Sequence, residues 1–428
     1  MREFGESDTI FEDMDALNPN EKAYRPDSLP EREEELDEIH SALRPVTMGS
    51  TPINLLIYGE TGQGKTVAAD LKTSQLEAWA DGEGIDLTVV MVQCKGLDKS
   101  YNAMTHLYKK LRETRFGPGE ELPRGYQRKE LLHKIIEELE SVGGTVIIVL
   151  DEIDSLGDDD YLLYEMPRAD LDGVKLSVIG ITNDLTYTEN LDADVRSSLG
   201  EDEVVFSPYD SDQLCAILAR RAAKGLRETG FSCEECDDPD CPHDVPKQAE
   251  NLVSRVLESD VINLCAAFAA QDTGDAREAI RLFFRAVRMA DDRGNSTVTE
   301  QDVYDAREHI EEKAIASGIQ TLPTQKKISL MAVIAENLFD DDYAETTELY
   351  DRYRGYCDVL DVKSVSKRRF REFLNDLEHN GLLSKRPGGG RGVQNAYQID
   401  VEMEMAVKNL PKSEEHLGEI ADRLRERF

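Results

Sequence analysis

Gly59-Glu60-Thr61-Gly62-Gln63-Gly64-Lys65-Thr66 has the form G-x-x-x-x-G-K-T. Glycines at three of these positions remove the side chains that would keep successive backbone N–H groups from closing around phosphate oxygens. A helix opening at Val67 would turn its positive dipole end toward the same anions. Lys65 is expected to reach the β and γ phosphates of ATP or ADP, and the Thr66 hydroxyl to hold Mg²⁺. An ordinary glycine-rich turn would need neither flank, yet both are present: the apolar run Leu55–Tyr58 reads as a buried strand and the Ala-rich run Val67–Leu71 as a helix.

Further candidates sit at the ends of other apolar runs. Asp151 and Glu152 follow Thr145–Leu150; Asp151 would bind Mg²⁺, and Glu152 would polarise the attacking water, a task that needs a carboxylate beside the metal and not on it. Asn183 follows Lys175–Ile181 and could hold that water or the γ-phosphate. Gly274-Asp275-Ala276-Arg277 opens a helix farther on, so that Arg277 could lean onto the phosphates, and Arg196 is a candidate finger for a neighbouring molecule's site.

Charge marks a second kind of site. The 428 residues hold 50 Lys and Arg against 87 Asp and Glu, a net −37 spread along the whole chain. That balance points to adaptation to molar salt, where self-repulsion is screened, and it makes any locally basic stretch informative. Lys363–Gly392 carries eight basic residues, among them Lys367, Arg368, Arg369, Arg371, Lys385, Arg386 and Arg391, against three acidic ones. Ser366 can cap a helix whose first turn is Lys-Arg-Arg, the end of a recognition helix that enters a major groove. The glycine-rich turn with Arg391 suits a wing tip. A second stretch, Lys109 to Lys129, has seven basic residues, including Lys109, Lys110, Arg112 and Arg115, against three acidic ones. Both are candidate DNA contacts. Cys233, Cys236, Cys241 and His243, spaced C-x₂-C-x₄-C-x-H, either wrap one tetrahedral Zn²⁺ or belong to an acidic loop with incidental cysteines; the other four cysteines are scattered singly and read as reduced core thiols.

These residues need a scaffold. Apolar runs at Leu55–Tyr58, Leu87–Cys94, Thr145–Leu150 and Lys175–Ile181, separated by helical patterns near Glu33–Leu43, Ser100–Arg115 and Gln127–Leu139, predict an α/β fold with a parallel sheet. Ligands of such sheets sit at the strands' carboxyl ends, where Gly59, Asp151 and Asn183 fall. An ATPase base over 1–210 is followed by a purely helical pattern over 211–320, with helices at Asp212–Gly225, Asn251–Phe268, Asp275–Arg293 and Glu300–Glu312. Gly318–Gln325 reads as a linker. Three helices and then a β-hairpin over 326–405 are the order of a winged helix, and 406–428 reads as an acidic tail. No apolar run is long enough to span a bilayer and the N-terminus lacks the marks of a signal peptide, so a cytoplasmic location is expected.

Taken together, the series resembles the archaeal origin-recognition / cell-division-control family of AAA+ replication initiators. The resemblance rests on Tyr24-Arg25-Pro26, Leu29-Pro30-Glu31-Arg32-Glu33, Asn54–Gly59, Leu150-Asp151-Glu152-Ile153-Asp154, Leu162-Leu163-Tyr164, Arg196-Ser197-Ser198-Leu199-Gly200, Gly274–Arg277 and the terminal winged helix. It implies an AAA+ P-loop base, an all-helical lid and a winged helix that binds double-stranded origin DNA. It also implies ATP as a switch with slow hydrolysis, a replicative helicase as the partner to be loaded, and self-association on DNA. By the same resemblance Arg32 lies near the adenine, and Asn102–Lys129 is an insertion that touches DNA. Asp194 stands where the family pattern has a basic residue, and the cysteine cluster is not part of that pattern.

Overall fold

The computed structural model describes residues 9–19, 28–187, 191–233, 247–338, 343–387, 394–411 and 417–428. They fall into two compact units, Met1–Val303 and Tyr304–Phe428.

The first unit is built on five parallel strands, β1 (Leu55–Gly59), β2 (Leu87–Gln93), β3 (Thr145–Asp151), β4 (Lys175–Thr182) and β5 (Asp202–Phe206), in the order β2-β3-β4-β1-β5. Successive residues of a strand point to opposite faces, and here both faces are covered. Leu56, Val146, Ile148 and Val178 pack with the helices Ser100–Phe116 and Arg128–Val142, while Leu55, Ile57, Ile147 and Ile179 pack with Glu33–Leu43 and Lys65–Glu83. Burial on both sides is why these strands read as unbroken apolar runs. The edge strand β5 is not among the four expected from sequence. It opens with two acids and only Val204 and Phe206 are buried, so its signal is a short alternation and not a run.

A helical lid follows. Ser211–Gly225 starts at a capping box in which Asp210 and Gln213 satisfy each other's backbone N–H, and Ala276–Arg293 is capped by Asp275 and stopped at Gly294. Between them lies a short antiparallel pair, β6 (Thr229–Phe231) with β7 (Leu252–Ser254), its register held by a 2.7 Å contact between the Thr229 and Ser254 hydroxyls. The helix expected from Asn251 therefore begins at Val261: Leu252–Ser254 is spent on strand pairing. The expected base, 1–210, is also corrected at its start. Residues 9–17 pack on the lid, where the Glu12 N–H donates to Gly225 O at 2.9 Å, the Ile10 N–H donates to Asp291 at 3.0 Å and Phe11 meets Phe284 edge to face.

The second unit has the helices Thr324–Asn337, Thr346–Val359 and Lys367–His379 and a three-stranded sheet, β8 (Ala344–Glu345), β10 (Ala396–Ile399) and β9 (Leu383–Arg386), in the order β8-β10-β9. Its core centres on the rings of Tyr353, Phe370 and Tyr397, all fully buried. Two expectations change here. The helix that begins at Glu300 runs through Gly318 to Thr321, because Ile319 and Leu322 are buried in this core, so the break shrinks to Leu322-Pro323. Nor is 406–428 only an acidic tail: Leu410, Leu417, Ile420, Ala421 and Leu424 return to the same core, the last four on the helix Gly418–Arg425 and its N-cap. Among the described residues, no helix is long and apolar enough to cross a membrane.

Candidate functional site

The loop from Gly59 to Thr66 leaves β1 at its carboxyl end. Gly59, Gly62 and Gly64 have φ of 152°, 79° and 89°, a region that side-chain-bearing residues rarely adopt. Lys65 is buried, and its ammonium donates to Gly59 O at 2.8 Å and Glu60 O at 2.5 Å, so the lysine folds the loop back over its own start. Burial pushes its pKa down to about 8, against the pull of Asp151, Asp154 and Asp275. An anion arriving at the loop would favour the charged form further.

Thr66 and Asp151 meet from different elements: the Thr66 hydroxyl donates to Asp151 Oδ2 at 3.0 Å. Asp151 is buried, which raises its pKa, and its other oxygen accepts the Glu152 N–H at 3.0 Å. Glu152 sits in the left-handed region at φ 55°, which turns its side chain out of line with the strand. One of its oxygens lies 3.3 Å from the exposed Lys95 ammonium, and the other is buried without a hydrogen-bond partner. Asp154 braces the next strand, accepting from the Thr182 hydroxyl at 2.9 Å and the Asn183 N–H at 3.2 Å.

Lys65, Thr66 and Glu152 open onto a cleft of about 700 Å³ between base and lid. Thr61, Gly62, Gly64, Lys65, Thr66, Val67, Glu152, Asn183 and Arg277 all line it, as do Ile217, Phe231 and Ile280 from the lid. Strand ends and the lid helix thus bring together residues as far apart in sequence as Thr61 and Ile280. The hard oxygens of Thr66 and Asp151 are a donor set that fits Mg²⁺, and the glycine cradle with Lys65 fits a polyphosphate.

Arg32 and Arg196 stand elsewhere. Arg32 is buried and does not line the cleft; its guanidinium stacks 3.8 Å from the Tyr209 ring, pairs with Glu35 at 2.5 Å and donates to Ser207 O. Arg196, half exposed on the helix Ala193–Leu199, lies 3.6 Å from Glu203 and is likewise no part of the cleft wall. Lys95, Asp154 and Tyr209 were missed from the sequence. Tyr209 follows no motif, and its partner Gln63 is 146 residues away.

The two basic stretches differ in how they present charge. On the helix Lys367–His379, Ser366 caps as expected and Arg368, Arg369 and Arg371 are exposed, with Glu372 paired to the first two. Lys367 donates to the Thr347 hydroxyl and Lys385 to Asn375, while Arg386 is exposed on β9. In the first unit, Lys109 and Lys110 lie within 3.6 and 3.8 Å of Glu113, Arg112 pairs with Glu120 and Glu138, and Arg115 with Glu138. Those four charges are already partnered by carboxylates of the same unit. Arg391 and the expected zinc ligands Cys236, Cys241 and His243 lie outside the described residues; Cys233 is at their edge.

Comparison with known proteins adds three family matches in chain order: an AAA domain over residues 49–186, a Cdc6 AAA+ ATPase-type lid domain over 247–308 and a CDC6 C-terminal winged helix domain over 317–409. ORC1-type DNA replication protein 15 of Haloarcula marismortui is 34% identical over 415 residues, which cover 95% of this chain and 94% of that protein. The ORC1-type DNA replication protein of Thermococcus kodakarensis is 34% identical over 417 residues, covering 95% and 92%. The solved structure of the Aeropyrum pernix ORC1 protein in complex with DNA superposes with a TM-score of 0.76 at 31% identity, over 98% of this chain and 100% of that one.

Proposed function

The chain belongs to the ORC1/Cdc6 family of AAA+ DNA replication proteins, and from that premise we propose that it is an ATP-regulated initiator that binds origin DNA. The nucleotide part of the proposal assigns the phosphates to the loop amides and Lys65. Thr66 and Asp151 hold Mg²⁺, which when bound offsets the phosphate charge. Glu152 accepts the proton of the attacking water, Asn183 holds that water or the γ-phosphate, and Arg277 brings the lid to bear on the same phosphate. Arg196 is kept as the residue offered to a second copy on DNA. Loading of a replicative helicase and action at the nucleoid, within the cytoplasm, follow from the same reading.

The observation that carries the DNA-binding part is the run of exposed cations at Arg368, Arg369, Arg371 and Arg386 in a chain of net charge −37. The cations of the Lys109–Arg115 stretch are held by Glu113, Glu120 and Glu138 and are less exposed than Arg368 and Arg369, which share the single partner Glu372, so they are assigned a secondary contact. Because phosphate-driven affinity falls steeply with salt, discrimination in molar salt has to come from base edges and DNA shape. Each base contact is worth about 1–3 kcal/mol. The double variant Arg368→Ala, Arg369→Ala is therefore expected to weaken binding to an origin duplex by about tenfold or more, and binding to random duplex by less. Fluorescence anisotropy in molar KCl measures both. Equal losses on the two duplexes would leave only phosphate contacts to this helix, and no loss would remove it from the interface.

A further inference from the structure

Tyr209 stands at the turn from β5 into the first lid helix, and its hydrogen bonds run in two directions. Its hydroxyl donates to Gln63 O, inside the phosphate loop, at 3.2 Å. Its backbone N–H donates to Gly274 O, at the entry to the helix that carries Arg277, at 3.0 Å. Gly274 has φ +66°, and a Cβ built there would lie 2.8 Å from both Pro208 Cβ and Tyr209 O, so the approach demands glycine. Asp275 makes a second contact with the loop. One carboxylate oxygen accepts the Arg277 and Glu278 N–H groups at 2.6 and 3.2 Å, and the carboxylate fills the space a Cβ on Gly62 would need, 1.7 Å from that position.

The loop side of this contact is not fully satisfied. Gln63 is 1% exposed, yet neither its side-chain oxygen nor its nitrogen has a hydrogen-bond partner. Groups buried in this way favour any rearrangement that satisfies them. The Tyr209 ring, by contrast, is held from behind by the buried Arg32 guanidinium, so the tyrosine can transmit a shift of the loop instead of absorbing it.

We propose that Tyr209 is a positioning residue that couples the phosphate loop to the lid. A change at Gln63 when phosphates fill the loop passes through the Tyr209 hydroxyl and backbone to Gly274, and sets where Arg277 stands over the γ-phosphate. The inference rests on the ATP-site reading above and names the link by which that site would move the lid.

Tyr209→Phe removes the hydroxyl and keeps the ring. In the full chain, in molar KCl, it is expected to leave ADP affinity within about twofold and to lower ATP turnover about tenfold, the worth of one hydrogen bond. Nucleotide-dependent protection of 276–293 in hydrogen exchange is expected to disappear. In an Arg277→Ala background the same change should cost nothing further, because its route is already cut. A multiplicative loss in the double variant, an equal drop in ADP affinity, or unchanged turnover would each overturn the proposal. Failure of the ATP-site reading itself looks different: Lys65→Ala would then bind nucleotide as the natural chain does, with Arg277→Ala silent as well. A melting temperature within a few degrees of the natural chain's confirms that Tyr209→Phe has folded.

Discussion

Lys65→Ala is expected to reduce ATP affinity by roughly 100-fold or more, as removal of a buried, hydrogen-bonded charge does. The ammonium has two tasks in this loop. It would meet the phosphates, and it already fastens the loop by donating to the carbonyls of Gly59 and Glu60. Alanine loses both, so the phosphate contact and the shape of the cradle fail together. Titration calorimetry with ATP and with ADP measures the loss, and the fold should survive, because Lys65 contributes to neither strand core. Affinity within a few-fold of the natural chain would dismiss the loop as the nucleotide site.

Glu152→Gln has the second-largest expected effect and the opposite pattern. ATP affinity should stay within about threefold, while turnover falls by roughly 100-fold or more, the contribution of a positioned general base. Glutamine keeps the size of the side chain and cannot accept the proton. The ion pair with Lys95 would be lost as well, but that lysine is 74% exposed and the pair contributes little to stability. Single-turnover hydrolysis is the measurement. Turnover retained in the glutamine variant would take the base role from Glu152.

Much of this site could be read from residue types and spacing, for physical reasons. Strands covered on both faces must be apolar throughout, so β1, β3 and β4 stood out together with the polar residues that end them. Ser366 could be read as a cap because a side-chain acceptor at a helix start leaves a local mark, whereas Asp275, expected inside its helix, caps it. Tyr209 left no such mark: its hydrogen bonds reach Gln63 and Gly274, and nothing in its neighbours betrays either. The resemblance places Arg32 near the adenine; in the structure its guanidinium stacks on Tyr209, which lines the cleft. The last residues carry helical propensity, but their burial leaves no mark in the sequence, because Leu417, Ile420, Ala421 and Leu424 are diluted among charges that face outward.

Charge shows a related limit. Counting residues made Lys109–Lys129 and Lys363–Gly392 look alike. In the structure the first is laced to Glu113, Glu120 and Glu138, whereas in the second Arg368 and Arg369 share Glu372 alone and Arg368 stays 92% exposed. Surface pairs of this kind are worth little individually, so DNA could displace them, but at a cost that Arg371 and Arg386 are not seen to bear.

The most direct test of the central claim is a genome-wide map of where the tagged protein sits in its host, compared with a variant in which Lys367, Arg368, Arg369 and Arg371 are all neutralised. An origin-binding initiator predicts a few sharp peaks at repeat-rich intergenic sites that vanish in the variant. Many promoter peaks, or peaks that persist without those charges, would contradict it.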